Sequence, residues 1–251
     1  SFRAVQVSEF GGPEVLKVVS VDEPELQQDE VLVTMKAAGV NPVDTYIRSG
    51  SYVRKPQLPY TPGADGAGIV EKVGSKVSTW KVGDRVYLAG SVSGTYAEKA
   101  ICKGSQLHLL PKNVSFDEGA AIYTPYATAY AALFHRANAK PGETILVHGA
   151  SGGVGLAAVQ IAVSQGMRVL GTASSKEGLE AIRNNGGESF NHREEGYEQE
   201  ILDATDNKGA NVILEMLSNV NLERDISKLI AFRGRVVIIG CRGTIEINPR
   251  A

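Results

Sequence analysis

The chain has 251 residues, of which 43% are hydrophobic and 22% are charged, and its formal net charge is −2 at pH 7. This length and composition allow one large or two ordinary globular domains, and they exclude a disordered chain. The charge balance gives no bulk attraction to nucleic acid or anionic lipid, and no apolar run reaches membrane-spanning length. The two cysteines lack the spacing of a disulfide framework or a structural zinc site, so we expect a cytoplasmic protein.

Short apolar or alternating runs, separated by Gly, Pro and Asp, fill the first part of the chain. They predict strands over residues 2–7, 16–21, 31–35, 67–73, 86–88, 96–101 and 107–110. This pattern is typical of an irregular β-barrel or sandwich. The segment GVNPVDTYIRSGSY interrupts it with one short helix, because Asn41 suits a helix cap, Pro42 the first helical position and Asp44 the positive helix end.

From Ser115 the pattern changes to helix, beginning with Ser115 and Glu118 at capping-box spacing and continuing through ATAYAALFHRA. We therefore place a domain boundary near Lys112, which gives domains of residues 1–112 and 113–251. Later apolar runs predict strands over residues 144–148, 168–172, 189–191, 211–216 and 235–239, each preceded by a plausible helix. This alternation predicts a doubly wound parallel sheet, and hence an α/β fold.

The stretch TILVHGASGGVGLAAVQIAV organises the second domain, because it combines a buried strand, a glycine turn and a helix. Gly152, Gly153 and Gly155 stand where the helix begins. At such a turn, glycines permit a tight bend, let backbone N–H groups approach a pyrophosphate and let the helix pack closely on the strand. The turn predicts dinucleotide binding. An ordinary strand-to-helix loop is the alternative, although such a loop rarely needs three glycines so close together.

The end of the next strand, GTASSKEG, is the segment that would discriminate NAD from NADP. It has no acid at the strand tip to bind a free ribose. Ser174 and Glu177 have capping-box spacing, which explains both residues without a ligand. Lys176 in the first helical turn opposes the helix dipole unless it meets an anion. We therefore expect it to bind the 2′-phosphate of NADP, with an ordinary solvated lysine as the alternative.

Two further groups of residues are candidates. The segment from Asn41 to Tyr52 concentrates polar and aromatic side chains, and Tyr46 could hydrogen-bond or stack at a nicotinamide or simply pack. His148 ends the buried first strand of the second domain and is interpreted as a core or rim residue. His192 follows the third strand at the carboxyl edge, where ligands bind in such sheets, and is the only histidine that we expect to touch a ligand.

The end of the chain differs from what this fold ordinarily shows. A doubly wound sheet commonly has six strands, whereas this chain stops soon after the fifth, in TIEINPRA. We expect that a terminal piece has been removed or that the chain is naturally short. A missing edge strand would leave unpaired backbone groups and favour aggregation or pairing with another chain.

An ordered set of motifs carries a family resemblance over essentially all 251 residues. The motifs are RAVQVSEFGGPEVLKV, GVNPVDTYIRSGSY, PYTPGADGAGIVEKVG, GDRVY, LVHGASGGVGLAAVQIA, FNHRE and GTIEINPR. With them, the chain resembles the quinone oxidoreductases of the zeta-crystallin type, in the zinc-independent branch of the medium-chain dehydrogenase/reductase family. The resemblance implies a GroES-like β-barrel catalytic domain followed by a Rossmann domain, here without the family's C-terminal segment.

The resemblance also implies roles for individual residues. Tyr46 would contact the nicotinamide, Ser174 and Lys176 the 2′-phosphate, and His192 the adenosine side of NADPH. The implied pyrophosphate turn and further cofactor contacts are Ser151, Gly152, Gly153, Val154, Asn221, Ile238, Ile239, Gly240 and Cys241. The residues implied for the active-site cleft are Asn41, Tyr46, Tyr52 and Thr128.

No catalytic zinc is implied, because Asn41 and the run GADG stand where zinc-dependent alcohol dehydrogenases have a cysteine ligand and GHE. Hydride transfer from an unactivated alcohol needs a Lewis acid or deprotonation, whereas a quinone is already electrophilic and needs mainly orientation beside the nicotinamide. We therefore predict an NADPH-dependent quinone reductase. The family is also associated with one-electron transfer that yields semiquinones.

Other functions and partners stay open at this point. The same cleft would suit an NADPH-dependent reductase of activated C=C bonds in enones or enoyl thioesters. A non-catalytic role, as a lens crystallin or in binding AU-rich RNA, is implied by the resemblance alone. The resemblance also implies a homo-oligomer for the complete family member, and nothing in the sequence indicates a membrane partner.

Overall fold

The computed structural model describes residues 1–248 and divides into two compact units, Ser1–Thr124 and the remainder. The division lies after a short helix at Phe116–Ala120, whereas the sequence pattern placed a boundary near Lys112. This helix belongs to the first unit because its last residue packs with Ala67 and Leu110 in one buried cluster.

The first unit is built on antiparallel strands. These are β1 (Phe2–Gln6), β2 (Lys17–Val21), β3 (Glu30–Gly39), β4 (Asp65–Val73), β5 (Arg85–Ala89), β6 (Lys99–Lys103) and β7 (Leu107–Leu109). The first two strands form a hairpin, and the other five form a sheet in the order β6-β3-β4-β5-β7. The β-rich architecture predicted for this part of the chain is confirmed.

The core of the first unit follows from the strand period of two residues. Val31 and Val33 on β3 are fully buried and pack with Val70 and Leu88 of neighbouring strands. Two helices accompany the strands, α1 (Pro42–Arg48) and α2 (Phe116–Ala120), and the predicted capping box of Ser115 with Glu118 opens the second of them.

The second unit contains a parallel sheet. Its strands are β8 (Thr144–Val147), β9 (Arg168–Ala173), β10 (Glu188–Asn191), β11 (Ala210–Glu215) and β12 (Ile230–Ile238). All neighbouring pairs are parallel, and the strand order is β10-β9-β8-β11-β12. The predicted doubly wound α/β sheet is confirmed. Its order reverses between β8 and β11, which is where ligands bind in this architecture.

Helices bury both faces of this sheet. They are α3 (Tyr123–Tyr130), continued by a π-helical turn at Ala131–Arg136, then α4 (Gly153–Ser164), α5 (Lys176–Asn184), α6 (Tyr197–Ala204) and α7 (Ser218–Arg224), with a second π-helical turn at Asp225–Leu229. Ile145 and Val147 pack with the alanines of α4, whereas Leu146 packs with Ile201 of α6. The alternating directions explain why Ile145, Leu146 and Val147 are all apolar and buried.

The last strand begins earlier than the predicted residue 235. Ile230 already pairs with Ala210, and a register shift follows before the regular pairing with β11 resumes. Part of the predicted ending, residues 249–251, lies outside the described residues. In the described part of the chain, no helix has the length and apolar character that a membrane crossing requires.

Candidate cofactor and active site

The glycine turn lies between the first strand of the parallel sheet and α4. Gly149 has a φ of +59°, in the left-handed region, so the tight bend falls there and not at the three glycines singled out by pattern. At Gly155, a Cβ atom would lie 2.3 Å from the carbonyl oxygen of Gly149. Gly155 therefore allows the close packing of helix and turn that the sequence predicted. Gly152 is the N-cap residue of α4, and it is exposed, as is Gly153.

The start of α4 is suited to bind an anion. The backbone N–H groups of a helix's first turn have no partners within the helix, and the helix dipole adds partial positive charge. Ser151 and Val154 flank the two exposed glycines and are half-buried. These four residues therefore remain the candidates for a pyrophosphate site.

The end of β9 differs in one detail from the prediction. Ser175 caps α5, because its Oγ accepts a hydrogen bond from the N–H of Gly178 at 3.0 Å. The predicted capping box of Ser174 with Glu177 is therefore wrong. The helix begins one residue later than predicted, because either of the two adjacent serines could cap it. Ser174 is half-buried and takes no part in the cap, and Lys176 is the exposed first residue of the helix.

Other predicted cofactor contacts follow neighbouring strands of the same sheet. His192 comes directly after β10, and desolvation and the charge of Arg193 lower the pKa of its ring. Asn221 lies in α7, and its Nδ2 donates to Oε1 of Glu215 at 3.1 Å. The N–H groups of Ile239 and Gly240 donate to the carbonyl oxygen of Glu215 at 2.8 and 3.2 Å.

Two more of the predicted cofactor contacts lie at the end of β12: Ile238 is its last residue, and Cys241 follows the strand. Ile238 is 54% exposed, and Cys241 is exposed, with a thiol pKa lowered mainly by the Ser218 hydroxyl. Because the carboxyl ends of parallel strands meet at one sheet edge, the structure brings all predicted cofactor contacts of the second unit to that edge.

In the first unit, Asn41 occupies the N-cap position of α1. Its Nδ2 donates to Oδ2 of Asp65 at 2.9 Å, and its backbone N–H donates to Oδ2 of Asp44 at 2.9 Å. Asp44 also accepts from the Tyr96 hydroxyl, and burial raises the pKa of the Asp44 carboxyl. Asp65 accepts from the hydroxyl of Thr124 at 2.6 Å. The Asn41 side chain is thus oriented by a buried hydrogen-bond network that sequence reasoning missed.

The aromatic candidates lie on and after the same helix. Tyr46 is half-buried in α1, and the N–H of Tyr52 donates to the Tyr46 carbonyl oxygen at 3.2 Å. The side chain of Tyr52 is 40% exposed. Thr128 is half-buried in α3 of the second unit. The structure thus groups Asn41, Tyr46 and Tyr52 on one segment.

A buried cluster of titratable groups was not predicted. His148 is buried, as expected, and its Nε2 lies 2.7 Å from Oδ1 of Asp225 and 3.6 Å from Oε2 of Glu215. Burial, followed by the contact with Asp225, raises the pKa of Glu215 to about 7. An acid that ends an apolar strand, NVILEM, was the signal that could have drawn attention to Glu215.

Two family models match the chain. The alcohol dehydrogenase GroES-like domain matches residues 27–112, and the zinc-binding dehydrogenase model matches residues 153–251. The residues around Asn41 do not fit a zinc ion, because they offer an amide and hydrogen-bonded carboxylates where zinc prefers nitrogen or sulfur ligands. Within residues 1–248, the His148 cluster is the one group of three His, Cys, Asp or Glu side chains whose ligand-type atoms lie within 4.8 Å of one another.

Curated relatives match nearly the whole chain. A quinone oxidoreductase of Rattus norvegicus is 55% identical over 250 residues, covering 99% of this chain and 76% of the relative. The quinone oxidoreductase of Homo sapiens is 54% identical with the same coverage. A more distant quinone oxidoreductase of Pseudomonas aeruginosa is 37% identical over 239 residues.

Solved structures share the same fold. The Escherichia coli quinone oxidoreductase complexed with NADPH has a TM-score of 0.87 and 35% identity, covering 98% of this chain and 75% of that one. A quinone oxidoreductase of Pseudomonas syringae has the same TM-score and identity, covering 97% of this chain and 76% of that one.

Proposed function

The chain belongs to the zeta-crystallin-type quinone oxidoreductases of the zinc-independent medium-chain dehydrogenase/reductase family, and on that premise we propose that it reduces quinones with NADPH. One observation carries the proposal for the cofactor: the glycine turn, Ser174 and Lys176 meet at the carboxyl edge of one parallel sheet. When bound there, NADPH supplies the hydride.

The second unit is proposed to bind and orient the cofactor. The N-terminus of α4, with Ser151 to Val154, holds the pyrophosphate through backbone N–H groups. Lys176 and Ser174 hold the 2′-phosphate, and no carboxylate stands at the end of β9 to favour a free ribose. His192, Asn221 and the segment from Ile238 to Cys241 complete the proposed contacts.

Asn41, Tyr46 and Tyr52 of the first unit are proposed as quinone contacts, and the role of Thr128 stays a prediction from the family resemblance. An Asn amide has two N–H donors, and Asp65 takes one of those of Asn41. The other is available to a quinone oxygen, where negative charge develops during reduction. Such a donor suffices for a quinone because this substrate is already electrophilic.

A product assay tests the proposal. The purified protein is incubated with NADPH and either a quinone or an enone, and the products are identified by chromatography. We expect reduction of the quinone at a kcat/KM well above that of the enone. Reduction of the enone alone would assign the chain to C=C reduction. Electron paramagnetic resonance during anaerobic turnover tests one-electron transfer, because this route yields two semiquinone radicals for each NADPH and two-electron transfer yields none directly.

Association with other macromolecules is a separate proposal. A homo-oligomer stays a prediction from family resemblance. Light scattering of the purified protein would test it, and a monomer at all concentrations would contradict it. Binding to AU-rich RNA stays a prediction from family resemblance, and a gel-shift experiment would test it.

A further inference from the structure

The His148 cluster, defined as His148, Glu215 and Asp225, lies where the parallel sheet reverses its strand order. His148 directly follows β8, and Glu215 is the last residue of β11, the neighbour of β8 in the sheet. Asp225 opens the π-helical turn after α7. The cluster therefore belongs to the region in which doubly wound sheets bind their ligands, although none of its members was a predicted cofactor contact.

The side chains of the cluster are removed from water and incompletely hydrogen-bonded. His148 is 3% exposed, and Glu215 and Asp225 are 0% exposed. Glu215 Oε2 and Asp225 Oδ2 have no hydrogen-bond partner. Two fully ionised carboxylates in this position would be costly, since buried charges must be paired or neutralised. The cluster can lower that cost by holding protons between its members.

Few other charges act on the cluster. Arg224 precedes Asp225, but its guanidinium binds the hydroxyl of Tyr197 at 2.7 Å and Glu198 at 3.3 Å. The charges of Arg224 and Tyr197 interact with that of Asp225, and the charge of His192 interacts with that of His148. Among the described residues, no Lys or Arg side chain bonds directly to the Glu215 carboxyl.

Glu215 connects this cluster to several proposed cofactor contacts at once. Its Oε1 accepts from Nδ2 of Asn221 and from the N–H of Leu217. Its backbone oxygen accepts from Ile239 and Gly240. Asn221, Ile239 and Gly240 are themselves proposed NADPH contacts. Leu217 directly precedes α7, the helix that contains Asn221.

His148 connects the cluster to the glycine turn. Its Nδ1 lies 3.4 Å from Oγ1 of Thr172, and the same Oγ1 accepts from the N–H of Gly149 at 3.2 Å. Gly149 forms the tight bend of the turn. A change of charge within the cluster would therefore act on both halves of the proposed cofactor site.

We propose that Glu215 is a positioning residue of the cofactor site, held by a proton that it shares with His148 and Asp225, and that loss of this proton at alkaline pH weakens NADPH binding. The inference rests on the proposed function. Loss of the proton adds a buried negative charge beside Asp225, at the sheet edge that is proposed to bind the cofactor phosphates, so repulsion opposes binding of the anionic cofactor. Burial, which raises the pKa of Glu215 to about 7, places the change near neutral pH.

Glu215→Gln tests the proposal, because glutamine keeps the oxygen acceptor and resembles the protonated carboxyl but cannot ionise. NADPH binding is titrated by fluorescence in both proteins. From about pH 6 to about pH 8.5, we expect the Kd of the wild type to rise about three- to tenfold more than that of the variant. Because both proteins bind the same ligand, titration of the 2′-phosphate cancels in this comparison. Glu188→Gln is the matched control, since Glu188 is half-exposed and pairs with Arg168 away from the cluster.

A second measurement detects the proton itself and needs no variant. The infrared spectrum of the wild type should contain the carbonyl stretch of a protonated carboxyl group at neutral pH, and Glu215→Gln should lack it. If the proton and NADPH bind cooperatively, NADPH must raise the pH at which this band disappears.

Three results would contradict the proposal in different ways. Equal pH dependence of NADPH binding in the wild type and Glu215→Gln would overturn the positioning role. A missing carboxyl band, or a divalent metal ion bound stoichiometrically at the cluster, would overturn proton sharing. Absence of NADPH binding in both proteins would contradict the proposed function and the positioning role with it, while the infrared band would still report on the cluster.

Discussion

Lys176 is the first residue of α5 and directly follows the segment that ends the second strand of the parallel sheet. We expect Lys176→Glu to weaken NADPH binding by about 1–3 kcal/mol, the range for a lost charge-assisted contact, and to leave NADH binding nearly unchanged. Titration of both cofactors measures the difference. Lys208→Glu is the control, because Lys208 is exposed and precedes β11 at the opposite edge of the sheet. Equal losses for NADPH and NADH would remove Lys176 from the 2′-phosphate.

Glu215 gives a second residue-scale prediction, on stability. In the folded chain the pKa of Glu215 is raised from its ordinary value of 4.5 to about 7, so the folded state holds a proton that the unfolded chain releases. The stabilisation is complete below the ordinary carboxyl pKa and is lost as the pH rises through about 7. We expect the free energy of unfolding, measured in urea without cofactor, to fall more steeply with pH in the wild type than in Glu215→Gln. Parallel curves would show that Glu215 does not take up a proton on folding.

The role of a single residue could be predicted where the residues that surround it in the fold are also close to it in the sequence. The glycine turn directly follows its strand, and Lys176 directly follows the two serines after β9, so each of these two patterns is local in sequence and carried its prediction. The hydrogen bond between Asn41 and Asp65, and the contact between His148 and Asp225, join residues that are 24 and 77 positions apart. Only the fold brings these pairs together. The prediction of the cap of α5 failed for a different reason: Ser174 and Ser175 are adjacent and have the same capping chemistry.

The turn and helix that follow β8 form the element on which the cofactor site depends. In Gly155→Ala, the new Cβ would lie 2.3 Å from the Gly149 oxygen and 2.6 Å from Cα of Ala150, so α4 must move away from the turn. We expect a loss of about 1–3 kcal/mol in the free energy of unfolding, as for other overpacked sites, together with weaker NADPH binding. Thermal and urea unfolding measure the first effect, and a fluorescence titration measures the second.

Gly153→Ala is the stability control for this substitution. Gly153 is the first residue of α4, and the nearest atom to its Cβ position is a side-chain carbon of Pro125 at 3.5 Å, an ordinary van der Waals distance. The control should therefore unfold much as the wild type does. A Gly155→Ala protein as stable as Gly153→Ala would show that α4 does not depend on this close approach.

The positions of the strands were predicted well, but their first and last residues were predicted less well. Among residues 1–248, the short apolar and alternating runs located each of the twelve strands, because most of these strands bury at least one face. The start of β12 was missed, since Arg233 and Gly234 interrupt the apolar pattern and the strand continues across a register shift. A single-residue pattern does not encode such irregular pairing.

For the molecule as a whole, the two units and their architectures were predictable because each follows from a different periodicity. Alternating short runs gave the antiparallel unit, and apolar strands separated by helices gave the parallel one. The specific chemistry was not readable from periodicity. It came from the match of ordered motifs to quinone oxidoreductases, of which the Rattus norvegicus relative is 55% identical over 250 residues.

In the proposed reaction, the protein reduces quinones with NADPH through its own residues and without a catalytic metal ion. Around Asn41, amide and carboxylate groups hydrogen-bond to one another, so the proposed reaction relies on orientation and hydrogen bonding. The decisive measurement is steady-state quinone reduction with NADPH before and after dialysis against a chelator, with the metal content determined in parallel. We expect unchanged turnover at substoichiometric metal. Stoichiometric zinc, with turnover that is lost on chelation and restored by adding zinc, would contradict it.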